Sequence, residues 1–185
     1  MVKIQTVEAN RIPLQILLPE AMICSRFDQE SNEQLLSWCD VIVIGPGLGT
    51  SVASREREQW FLTAAAQEKK PLILDADGLN AAAQLLAEGK TLPHPAGELI
   101  VTPHPGEMAR LTGLSAAEIN ADREEIARQY AEKWNAVVVL KGCRTVVAAP
   151  DGRVCTNSTG NPGLARGGSG DVLAGMTAAL LACGA

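Results

Sequence analysis

Aromatic residues are scarce in this chain: two Phe, three Trp and one Tyr among 185 residues. A core built without them must rest on closely packed Ala, Val, Leu and Ile. Basic tracts are also missing, with 16 Lys and Arg against 21 Asp and Glu and a net charge of −5. Phosphate backbones call for clustered cations, so nucleic-acid binding is not the expected main role. The five cysteines are odd in number, widely spaced and without a C-x-x-C pair, and His94 and His104 are the only histidines. That set argues against a zinc site and for free thiols in a reducing cytosol. No charged segment precedes an apolar one at the N-terminus, and no apolar run reaches membrane-spanning length. A cytoplasmic protein with no membrane partner is expected. The Walker pattern G-x-x-x-x-G-K-[ST] and the protein-kinase pattern G-x-G-x-x-G-x-V are absent too.

What the chain has instead is glycine and short apolar runs. Val41 to Gly45, Pro71 to Asp75, Leu99 to Thr102 and Ala136 to Lys141 each read as a buried strand. Amphipathic stretches lie between them: about Glu56 to Lys69, the segment before Gly89, and a charged helix reaching Trp134. Ser115-Ala-Ala-Glu118 predicts a capping box, with a second helix start near Asn120. Pro150-Asp-Gly152 between Thr145–Ala149 and Val154–Asn157 predicts a β-hairpin. The alternation predicts one α/β domain over residues 1–185, a mostly parallel sheet with helices on both faces. Nearer the N-terminus, Asp28 to Trp38 predicts a helix, with Ser31-Asn-Glu-Gln34 matching a capping box.

Each strand ends in unusual chemistry, and ligands of parallel sheets sit beyond such ends. Gly45-Pro-Gly-Leu-Gly49 is either a tight strand-to-helix turn or a place where backbone approaches a ligand. Asp75-Ala-Asp-Gly78 could reach magnesium through water, but reads better as a locally formed turn. His104 is held between two prolines, as a structural residue or a substrate contact, and Glu107 reads as a first-turn helix acid. Lys141-Gly-Cys-Arg-Thr145 is either a phosphate-holding loop or an ordinary connection. Last, Asn157 to Asp171 is a glycine-rich loop that opens an apolar helix near Gly170, read as buried. Helix-start amides and their dipole bind anions, so an acid among them calls for a task such as accepting a hydroxyl proton.

Together these motifs resemble the ribokinase-like superfamily. The resemblance is closest to the ADP/ATP-dependent NAD(P)H-hydrate dehydratase family, and it spans nearly all of residues 41–185. It implies repair of hydrated NADH or NADPH by ADP or ATP with magnesium, through a phosphorylated ring hydroxyl. Asp171 would be the catalytic base, and Gly47, Gly49, His104 and Asp171 would meet the hydrate. Lys141, Gly142, Cys143, Arg144, Thr145, Gly167, Gly168, Ser169 and Gly170 would bind the nucleotide. No resident metal ligands are expected, and a homo-oligomer is. Arg166 stands where a small residue such as Thr is expected, as a further phosphate contact or a solvent-facing side chain. Family members carry a strand and a glycine-rich loop upstream, and further helices downstream. The expectation is thus a fragment, an incompletely recorded protein, or a subunit completed by another chain. The alternatives are a small-molecule kinase of the same superfamily, for a vitamin precursor, and a silent nucleotide-binding or assembly module.

Overall fold

The computed structural model describes residues 1–92 and 99–184, which leaves His94 outside the described residues. The chain divides into two compact units, Met1–Cys39 and Asp40–Ala185.

In the first unit, β1 (Lys3–Gln5) pairs in parallel with β2 (Met22–Cys24), and α1 (Arg11–Leu17) connects them. Helix α2 (Gln29–Trp38) follows, and Gln5 Nε2 donates to Asn32 Oδ1 at 2.7 Å to join it to β1. The cap differs from expectation. Asp28, not Ser31, closes the start of α2, its side chain accepting from the Ser31 amide at 2.8 Å. Both residue types cap well, and the acid also favours the positive end of the helix dipole.

The second unit holds a six-stranded sheet in chain order. Strands β3 (Ile42–Ile44), β4 (Leu72–Leu74), β5 (Leu99–Val101) and β6 (Val137–Leu140) are parallel. The hairpin strands β7 (Val146–Ala148) and β8 (Val154–Thr156) continue it antiparallel, about the expected turn. Parallel neighbours joined in one direction by right-handed crossovers place all their helices on one face. The packing follows that rule. Leu72, Leu74, Leu99, Val101, Val138 and Leu140 share one buried cluster with residues of α3 (Val52–Glu68), α4 (Asp77–Ala87), α5 (Pro105–Thr112), α6 (Ala116–Ala121) and α7 (Arg123–Trp134). The capping box at Ser115 starts α6, and Asp122 starts α7 separately.

The opposite face carries Ile73 and Ile100, against which Ala174 of α8 (Ser169–Ala182) packs. Helix α8 departs from expectation here. Its run is apolar all round, yet Ala174 is its one buried residue, and Val172, Met176 and Leu180 stand 61%, 61% and 59% exposed. The three lie four residues apart, on a side of the helix turned away from the sheet.

Candidate active site

The carboxyl ends of β3, β4, β5 and β6 and the start of α8 all belong to the second unit; hydrogen bonds join the strand ends, and α8 approaches them at Gly170. The glycine loop after β3 touches the turn after β4 at backbone distance. A Cβ on Gly45, whose φ is +125°, would stand 1.7 Å from the Asp75 carbonyl oxygen. A Cβ on Gly78 would stand 2.6 Å from the Ile44 carbonyl oxygen. The two loops interlock because both residues lack a side chain. Between them Ala76 adopts φ 49° and ψ −116°, a strained conformation for a residue with a Cβ. The Gly49 amide donates to Asp77 Oδ2 at 2.8 Å, so that acid closes the loop. Asp77 therefore does what a turn acid does.

Asp75 has a larger part than its sequence context gave it. It is 1% exposed, and its Oδ1 accepts from Thr102 Oγ1 at 2.8 Å and from Lys141 Nζ at 2.5 Å. Lys141 also stands 3.8 Å from Glu107 Oε2. A buried acid next to a cation two strands away leaves no periodic signal in a sequence. A Val-Leu-Lys strand end and a Leu-Asp strand end, in the fourth and second motifs, are the nearest thing to one. The loop that follows is pinned from α7, where Arg123 Nη2 donates to the carbonyls of Leu140 at 2.7 Å and Lys141 at 3.1 Å. Thr145 Oγ1 donates to the Gly142 carbonyl at 3.0 Å, and Cys143 and Arg144 are exposed.

His104 is the N-cap of α5. Its Nδ1 accepts from the Gly106 amide at 3.0 Å and the Glu107 amide at 3.3 Å, while Glu107 Oε2 accepts from the His104 amide at 2.8 Å. This is a reciprocal capping box with histidine in the place Ser or Thr usually takes. An accepting Nδ1 leaves the ring proton on Nε2, which lies 3.5 Å from Glu107 Oε1. His104 is half exposed, so the same ring can cap the helix and meet a ligand.

At the start of α8 Gly168 has φ 86°, and no side chain caps the helix. The Ser169 amide donates to the Arg166 carbonyl at 3.4 Å, which leaves the next amides, of Gly170 and Asp171, open to an anion. Gly167 and Gly168 are exposed, as are Arg166 and Asp171, with Ser169 and Gly170 half-buried. Gly170 faces the acid–base pair directly: a Cβ there would lie 3.4 Å from Asp75 Oδ2 and 3.4 Å from Lys141 Nζ. The fourth and fifth motifs thus meet the second at one point. Gly47, exposed in the glycine loop, has open space where a side chain would project.

A parallel sheet extended by an antiparallel hairpin, with a glycine-led helix start beside its strand ends, defines a ribokinase-like α/β protein. A ribokinase-like superfamily protein of Enterococcus faecalis shares that architecture at a TM-score of 0.85 and 30% identity, over 97% of this chain and 60% of that one. The chain belongs to the NAD(P)H-hydrate dehydratase family, whose sequence profile matches residues 1–185. It is 41% identical over 177 residues to the ADP-dependent (S)-NAD(P)H-hydrate dehydratase of Neisseria meningitidis, covering 95% of this chain and 57% of that protein. The ADP/ATP-dependent NAD(P)H-hydrate dehydratase of Bacillus subtilis, co-crystallised with ATP and Mg2+ and soaked with CoA, matches at a TM-score of 0.80 and 36% identity. That match covers 98% of this chain and 63% of the Bacillus chain. The chain thus spans less than two thirds of each of these relatives. Among the described residues no helix is long and apolar enough to cross a membrane.

Proposed function

We propose that the chain contributes the nucleotide and phosphoryl-transfer side of an ADP-dependent dehydration of the S-epimer of NADH or NADPH hydrate. One observation carries the reading: the open start of α8 adjoins the Asp75–Lys141 pair at Gly170. A cation and a set of free amides on one spot favour a transferring phosphoryl group, and the exposed Asp171 carboxylate is one residue away. The neighbouring relatives named above act on, or were crystallised with, ligands of this kind.

The chemistry follows from leaving-group ability. Hydroxide departs poorly from a ring carbon and phosphate departs well. Asp171 would take the proton of the ring hydroxyl as its oxygen bonds to the terminal phosphorus, and AMP would leave. The new phosphate would then depart with the C–O bonding electrons while the neighbouring ring carbon gives up a proton. The amides of Gly167 to Gly170 would hold the phosphoryl oxygens, and Lys141 to Thr145 the AMP portion. Gly47, Gly49 and His104 would bound the nicotinamide side.

Magnesium, when bound, neutralises phosphate charge. Among the described residues no three of His, Cys, Asp and Glu converge on one point. Asp75 and Glu107, the two acids nearest Lys141, already accept from Lys141 and the His104 amide respectively. That donor set fits an ion carried on nucleotide phosphates, which Asp75 and Glu107 could reach through water.

The test is phosphate release from ADP with NADPH hydrate, set against a panel of vitamin-precursor alcohols. Release with the hydrate alone supports the proposal. AMP formation with an alcohol, the phosphate staying on that alcohol and none released, identifies a kinase instead, and nucleotide binding without turnover identifies a silent module.

A further inference from the structure

Among the described residues, Glu58 is the one buried acid that the proposed chemistry does not use. It lies on α3 with 2% of its surface exposed, and its Oε1 has no hydrogen-bond partner among the described residues. It sits under the interlocked loops: Oε1 is 3.4 Å from where a Cβ on Gly78 would stand, and the Ile44 carbonyl oxygen is 2.6 Å from the same point. Asp77, at the start of α4, is the charged group that faces it, and the glycine loop itself carries no titratable side chain. The surroundings offer a carbonyl and a carboxylate, both acceptors. A carboxyl group is accommodated among acceptors when it keeps its proton and can donate.

We propose that Glu58 is a positioning residue for the glycine loop: as a neutral acid beneath the Gly45–Gly78 contact, it leaves Asp77 free to hold the Gly49 amide. Asp77 is the link. Its Oδ2 accepts from Gly49 at 2.8 Å and its Oδ1 from Asn80 Nδ2 at 3.3 Å, so both oxygens are committed. A second negative charge buried alongside would repel Asp77 and loosen the loop that would contact the hydrate. Burial, reinforced by the Asp77 charge, pushes the Glu58 carboxyl up to about 8. The loosening therefore falls in the mildly alkaline range.

The inference about the loop stands on geometry, and its link to substrate rests on the dehydratase reading, so the test separates them. In the intact protein, the 13Cα resonance of Gly49 is followed from pH 6 to 10 in the wild type and in Glu58→Gln. The wild-type resonance is expected to titrate with a midpoint near 8, the value of Glu58, and the Gln variant to stay flat. A flat wild-type curve, or the same titration in both proteins, overturns the proposal, and the wild-type curve decides even if the variant fails to fold. The kinetic arm measures KM for the hydrate and for the nucleotide across the same range. The hydrate KM of the wild type should rise up to about tenfold per pH unit above the midpoint, that of Glu58→Gln should not, and the nucleotide KM should differ little between them. Absence of any hydrate turnover in the wild type refutes the dehydratase reading and leaves the Gly49 titration to decide the positioning role.

Discussion

Gly170 and Asp171 are adjacent and need opposite things from their surroundings. Gly170 must have no side chain, because Asp75 Oδ2 and Lys141 Nζ each stand 3.4 Å from where one would begin. Asp171 is exposed, and as the proposed base it would need its side chain at the rim, free to accept a proton. Replacing Asp171 by Asn keeps the shape and removes the basicity. Turnover should fall by at least about a hundredfold, the usual scale of general-base catalysis, while the nucleotide Kd from calorimetry should change little. Normal turnover by this variant would remove Asp171 from the base role. Gly45 allows a blunter prediction. A methyl group there would meet the Asp75 carbonyl at 1.7 Å, with φ at +125° besides. Gly45→Ala should cost more than about 3 kcal/mol, since neither backbone can yield cheaply, and urea denaturation would report it. The need for glycine at such points was legible in the sequence. Asp75 was not legible as a buried ion pair, because its partner Lys141 is 66 residues away and on another strand end.

At the scale of elements, parallel β3 to β6 and the β7–β8 hairpin were readable because period, length and turn chemistry agreed. The start of α3 was less so. Helical spacing is evident only from about Glu56, whereas Ser51 caps the helix, with its Oγ accepting from the Ser54 amide at 3.1 Å. Its first turn carries Val, Ala, Ser and Arg, too mixed a set to show a face. Helix α8 misled for the opposite reason. Uniform apolarity implies burial on all sides, and here the sheet meets one side. For α5, a histidine cap allows two roles to be separated. Ser is an equally good N-cap, so His104→Ser should keep stability within about 1 kcal/mol. If the ring also meets substrate, KM for the hydrate should rise while the melting temperature holds. A drop in melting temperature with unchanged KM would leave His104 as a cap alone.

For the whole molecule, the buried acid converts into a pH dependence of stability whose sign is fixed. Unfolded, Glu58 titrates at its ordinary value of 4.5, and folded it holds its proton up to about 8. Below the lower value both states are protonated and the group has no pH effect. Between the two values only the native state binds the proton, so each pH unit removes about 1.4 kcal/mol of stability. Above the upper value both states are ionised and the loss, about 3–5 kcal/mol in total, is complete. Other groups titrate as well, so the diagnostic quantity is a difference. Glu58→Gln is neutral throughout, and its stability relative to wild type should climb as pH rises from 4.5 to 8, then level off. Urea melts of both proteins at four pH values across that interval would show it. A constant difference at every pH would mean that Glu58 is ionised in the folded chain already. In that case Asp77 would have to hold the Gly49 amide with a second charge beside it, and the glycine loop would owe its position to the Gly45–Gly78 interlock alone.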